Sequence, residues 1–186
     1  LNNNINKDFK REEFNERQWE EIQEGLKSGV DVSLYANRFF HHKDMYLIRL
    51  AQEKGLEVNL LSSLGLNYRQ REEIYLGLLD GIDASCYADE KHNEWKMKEI
   101  RLGLEERIDL TNYIDSHNHN QIHQIRLGCE EGVDVSLYDS VNFKQAHMAE
   151  LRLGLLNGID ISSMSDPTLN IEEVRKKRSD LEALLN

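Results

Sequence analysis

Proline is almost missing from this chain: Pro167 is the only one in 186 residues. No proline-rich linker or change of composition divides the sequence, which predicts one domain over 1–186. Cysteine is nearly as scarce. Cys86 and Cys129 fall at different places in the pattern described below, which argues against a disulfide framework and for a reduced interior. No run of eighteen apolar residues occurs, so no membrane span is expected. The opening LNNNINKDFKREEF has no apolar signal segment, and the expectation is a cytoplasmic protein. No glycine loop shaped to cradle phosphate and no nucleophile elbow is present.

Excess positive charge is also lacking. The formal net charge is −11, unevenly spread. Residues 1–71 hold eleven acids and eleven bases, whereas residues 72–160 hold eighteen acids and eight bases. An acidic body of this kind repels phosphate backbones, so direct nucleic-acid binding is not expected. It attracts a basic partner surface instead.

What the sequence does have is a period. Six copies of a segment of about 26 residues align on Ile22, Ile48, Ile74, Ile100, Ile125 and Leu151. A fixed period of this size marks a stack of repeated units. With the anchor as position zero, position −3 carries Trp19, Met45, Met97, Ile122 and Met148, with Arg71 as the exception. Position +4 carries Leu26, Leu78, Leu104, Cys129 and Leu155, and a leucine recurs at +2. At about 100° per residue these positions make a helix that is apolar on two sides, as a sandwiched helix must be.

Gly25, Gly77, Gly103, Gly128 and Gly154 share position +3, inside that helix, with Ala51 in repeat two. Such glycines cost about 0.5–1 kcal/mol each relative to alanine, so close backbone approach is expected there. Gly29, Gly55, Gly81, Gly132 and Gly158 at +7 predict left-handed helix ends, with Arg107 replacing the glycine in repeat four. An apolar–acid–apolar link follows. Ser33, Ser85, Thr111, Ser136 and Ser162 then stand where an N-cap of a short helix would be. Tyr35, Tyr87, Tyr113 and Tyr138 recur next, as packing residues. The fold class is therefore all-α: a helical-repeat solenoid of six units, each a helix of about fourteen residues plus a short helix. Residues 1–17 form an N-terminal cap, 18–170 the repeats, and 171–186 a closing helix with a stripe of Ile171, Val174, Leu181 and Leu185 interrupted by Arg178.

The segments IRLGLEERIDLTNYID and IRLGCEEGVDVSLYDS resemble the tandem IRLGLEEGIDVSxYADPxF repeats of proteins from clostridia-like bacteria and their mobile elements. The resemblance covers residues 18 to about 170 and is weakest in repeat two, IRLAQEKGLEVNLL, which has no tyrosine. It implies the repeat fold and transfers no activity. Some related proteins accompany antirestriction or plasmid-maintenance modules, which implies an anti-defence setting.

Three chemistries can be weighed. His117, His119 and His123 could offer imidazoles to a metal, but no cysteine or recurring carboxylate completes a ligand set. Asp31, Asp83, Asp109, Asp134 and Asp160 recur at +9 rather than converging as a catalytic pair, so they serve the link. Positions −1 and +6 project within about 20° of each other on one helix. They carry Glu73, Asp80, Glu99, Glu106, Glu131 and Glu150, which predicts an acidic ridge. Position +1 carries Arg49, Arg101, Arg126 and Arg152, with Arg101–Glu105 and Arg126–Glu130 as i,i+4 pairs. The expected function is a non-enzymatic, cofactor-free module that binds a basic partner protein through this ridge. Two other readings stand beside it: an acidic anti-defence inhibitor, of antirestriction or anti-CRISPR type, occupying a nucleic-acid-binding site, and a metal-binding protein using the 117–123 histidines.

Overall fold

The computed structural model describes residues 9–185. Every regular element among them is helical: seven α-helices and six short 3-10 turns, with no strand. The helices are α1 Glu16–Ser28, α2 His42–Glu53, α3 Tyr68–Leu79, α4 Glu94–Glu105, α5 His119–Glu131, α6 Gln145–Leu156 and α7 Ile171–Glu182. None is long and apolar enough to cross a membrane. The chain divides into two compact units, Leu1–Met97 and Lys98–Asn186, and the division falls inside α4. In the first unit α1 packs on α2 and α2 on α3; in the second α5 packs on α6 and α6 on α7.

Helices α1, α2, α3, α5 and α7 begin on a reciprocal cap that apolar periodicity does not signal, whereas α6 begins without a side-chain cap. Asn15, Asn67 and Asn118 accept the main-chain N–H of Gln18, Gln70 and Gln121, whose side chains accept from the asparagine N–H in return. The same glutamines then reach outward. Gln18 Nε2 donates to the carbonyls of Arg38 and Phe40, Gln70 Nε2 to those of Glu90 and His92, and Gln121 Nε2 to those of Val141 and Phe143. The chain thus returns to the N-terminal end of each helix before starting the next.

Left-handed residues end the helices as expected, with φ between 70° and 77° at the five glycines. Arg107 adopts φ 63°, the only non-glycine in that region among the described residues, so repeat four keeps the geometry at the cost of strain. The link that follows differs from expectation. The cap is the aspartate: Asp31, Asp83 and Asp134 accept from the N–H of Ser33, Ser85 and Ser136. The serine lies inside the turn and its hydroxyl donates back to the carboxylate, as at Asp31 and Asp134. The carboxylate accepts both the N–H and the hydroxyl of the serine, an acceptor role that leaves the serine O–H satisfied as a donor.

Two of the +3 glycines, Gly25 and Gly128, make room for a tyrosine rather than for a backbone. Tyr35 and Tyr138 are fully buried, and their hydroxyls donate to the carbonyls of Glu21 and Gln124 at 3.1 and 3.2 Å. A Cβ at Gly25 or Gly128 would overlap that hydroxyl and stand 2.9 Å from Val32 or Val135. At these two glycines the close approach is by side chains of the same repeat; at Gly103 a Cβ would stand 2.9 Å from the Ile108 carbonyl oxygen as well as against Leu110, so there the backbone does approach. Repeat two dispenses with both the tyrosine and the glycine, whereas repeat six, with Met164 at the tyrosine's place, keeps Gly154 against Ile161. In repeat two Leu61 fills the tyrosine's place, no hydroxyl is present, and Ala51 fits, both being fully buried.

The final helix is closer to a repeat than its sequence suggests. Asn170 and Glu173 form the same reciprocal cap, Val174 takes the buried −3 position, and Arg178 stands where the other repeats carry their +1 arginine. Leu185, placed on the apolar stripe by sequence, lies beyond α7 and is exposed.

Candidate interaction surface

The six acidic residues of the predicted ridge do not share one surface environment. Glu99 and Glu150 are drawn inward. Glu99 accepts from Arg126 Nε at 2.7 Å and lies 3.2 Å from His123 Nδ1. Glu150, 8% exposed, accepts from Arg178 at 2.7 Å and from Arg175 at 3.0 Å. Burial pushes the Glu150 carboxyl up, but the hydrogen bonds and charges of Arg178 and Arg175 outweigh it and hold the group below its ordinary value. Glu131 is exposed and paired with Arg152. Glu73 is half-buried on α3, while Asp80 and Glu106 are exposed just past the ends of α3 and α4.

The reason lies in helix length. A projection of −1 and +6 onto one wheel assumes about fourteen helical residues, whereas α3, α4 and α6 have 12 each and stop at position +5. The +6 residue therefore belongs to the helix end and its turn, and the −1 residue to the flank. On that flank a seam forms between neighbouring helices: Glu21 with Arg49, Glu99 with Arg126, and Glu150 with Arg178. At another such place Gln124 stands in for the acid and accepts from Arg152 at 3.2 Å. Arg49, Arg101, Arg126 and Arg178 also hold their own +5 acids, including Arg101–Glu105 and Arg126–Glu130 as expected, while Arg152 holds Glu131 of the preceding repeat.

With the −1 acids committed, the exposed acidic surface of the second unit consists of helix ends and turns. Asp109, Asp134 and Asp160 are exposed. Each takes both of its turn hydrogen bonds, from the N–H and hydroxyl of Thr111, Ser136 or Ser162, on Oδ1. Oδ2 takes none among the described residues. The hydroxyl and N–H bonds hold the Asp109 and Asp160 carboxyls below the ordinary aspartate range. The result is one exposed, turn-held carboxylate per repeat, with its Oδ2 outside the turn's hydrogen bonds.

The first unit carries the opposite charge at its helix starts. Arg17, Lys43 and Arg69 are the second residues of α1, α2 and α3, and all are exposed. None has an ion pair among the described residues, in contrast to Arg49 and Arg71. The Lys43 ammonium lies 5.4 Å from the centre of the Tyr68 ring. His42, whose ring centre lies 4.1 Å from that of His41 in a tilted arrangement, is held below its ordinary value by desolvation and then by the charges of His41, Arg17 and Lys43.

The histidines are not gathered for a metal. His117 is buried, with Nδ1 2.8 Å from Ser116 Oγ and Nε2 2.6 Å from the Asp139 carbonyl. His123 faces Glu99 and Arg126, and His119 begins α5. Among the described residues no group of three or more histidine, cysteine, aspartate or glutamate side chains is placed to hold a metal ion. Comparison with family models, with curated proteins and with solved structures gives no match.

Proposed function

We propose that this chain is a helical-repeat solenoid of six units with a closing helix, and that it acts without catalysis by binding another protein whose surface is basic. The observation that supports this reading is the row of turn aspartates. Their recurring polar neighbours are spent on holding the fold: the cap glutamines on loop carbonyls, the tyrosines on helix carbonyls, the +1 arginines on the seam. The turn carboxylates keep an oxygen in reserve, at one per repeat. Fixed charges of this kind speed encounter with an oppositely charged surface and select it against others.

The test is capture from a bacterial lysate by the parent and by an Asp109→Asn, Asp134→Asn, Asp160→Asn variant. Asparagine keeps the Oδ1 acceptor that the turn needs and removes the charge. Basic proteins held by the parent in a salt-sensitive way are expected to be lost by the variant. An unchanged set of captured proteins would sink the reading. The net charge of −10 over residues 72–160 favours a narrower version, an acidic inhibitor that occupies a nucleic-acid-binding site. In that case an oligonucleotide competes with the chain for the captured protein.

A further inference from the structure

We propose that a second copy of this chain is a partner for its acidic turns: Arg17, Lys43 and Arg69 of one copy dock on Asp109, Asp134 and Asp160 of the next. The proposal rests on the reading that the turn aspartates form a docking edge, and it adds the identity of an occupant.

Charge complementarity carries the first part. The chain is acidic and ties most of its arginines to carboxylates, yet the first unit keeps three exposed cations at helix starts without such partners. The second unit holds three exposed aspartates whose Oδ2 atoms are uncommitted. Each row has one charge per repeat, and the aspartates and Lys43 are held in place. Lys43 rests over Tyr68, and the aspartates are clamped by their turns.

Register carries the second part. The cations are spaced by 26 and 26 residues and the aspartates by 25 and 26, each at a constant position of the same repeating unit. The step along each row is then set by one quantity, the distance between neighbouring repeats. An unrelated basic surface has no reason to share that step, whereas a second copy must. Helix starts on one copy also meet helix ends on the other, so the backbone dipoles favour the same arrangement. The contact uses different patches on the two copies, so it is head-to-tail and can extend beyond a dimer. Net charge repels copies at long range. Near physiological salt, where the screening length is about 8 Å, the local pairs outlast that repulsion.

Sedimentation velocity over a concentration series tests this. The parent is expected to self-associate near physiological salt and to dissociate at high salt. A variant with Arg17→Glu, Lys43→Glu and Arg69→Glu, and the Asp109→Asn, Asp134→Asn, Asp160→Asn variant, are each expected to weaken association by on the order of tenfold to a hundredfold. Mixing the two restores association but stops at the dimer, because each keeps one working edge. Circular dichroism identical to the parent's shows that both variants fold. A parent that is monomeric at every salt, or a mixture that forms no dimer, overturns the proposal. So does a single-stranded oligonucleotide that binds the parent but not the Arg17, Lys43, Arg69 variant, since the cations would then serve a polyanion. A monomeric parent that still captures basic proteins through its aspartates overturns self-association alone. Self-association that needs the aspartates while lysate capture does not overturns only the foreign-partner reading.

Discussion

Arg71 and Asp44 form a buried ion pair, Nη1 to Oδ1 at 2.7 Å, at the place where the repeat breaks its own rule. Position −3 is apolar in the other repeats, yet Arg71 is 1% exposed. Its guanidinium also donates to the carbonyls of Leu61, Ser63 and Leu66 and lies 4.9 Å from the Phe40 ring centre. Repeat two has lost its tyrosine, and the carbonyls of the segment that would have carried it are gathered by this arginine. Burial pulls the Arg71 guanidinium below its ordinary range, and Asp44 opposes that pull. Removing one partner leaves an uncompensated charge in the core. Arg71→Met should therefore cost about 3–5 kcal/mol in urea denaturation. Asp44→Asn keeps the capping acceptor, and the double variant should lose clearly less than the sum of the singles. Additive losses would mean that the two residues are not coupled.

The tyrosine and glycine of a repeat should be coupled in the same sense. Gly128→Ala places a methyl group against the Tyr138 hydroxyl and Val135, and is expected to destabilise by about 1–3 kcal/mol. In a Tyr138→Leu background, which copies the Ala51 and Leu61 pairing of repeat two, the same alanine should be tolerated with much less loss. Thermal melting of the four proteins measures the coupling. An equal cost of alanine in both backgrounds would show that Val135, not the hydroxyl, excludes a side chain.

These pairs show where the sequence was legible. Helix ends could be read, because Gly29, Gly132 and their equivalents signal a left-handed residue by type alone. The number of long helices followed from counting copies. Partnerships across repeats could not be read from one helix at a time. Glu99 and Arg126 are 27 residues apart and look like surface residues on separate wheels until their helices are laid side by side. The capping glutamines were visible in principle, as asparagine and glutamine three residues apart in Asn15–Gln18, Asn67–Gln70 and Asn118–Gln121. That signal is polar, and the apolar periodicity does not carry it. The turn carboxylates were recognised as structural, but their spare oxygen depends on which atom the serine hydroxyl chooses, and that is geometry alone.

The seam finally predicts how the chain yields to acid. Glu150 sits between α6 and α7 and holds both Arg175 and Arg178. Its carboxyl is held below the ordinary value of 4.5. A group whose folded pKa is depressed contributes stability that is fully present above its unfolded pKa and is lost as pH falls through the folded one. The contribution is therefore intact at neutral pH and down to about pH 5, and it fades below the ordinary glutamate range of about 4.3. Protonation leaves two arginines facing a neutral acid, and α7 has a single fully buried residue, Val174, to hold it otherwise. Helix α7 should then be the first element of the second unit to open on acidification. Hydrogen exchange at the amides of 172–182, followed from pH 7 to pH 3, should lose protection before the amides of α6 do. Glu150→Gln should open α7 already at pH 7 and flatten the pH dependence. Loss of protection in α6 and α7 at the same pH, with no effect of Glu150→Gln, would show that the helix is held by packing and not by its carboxylate.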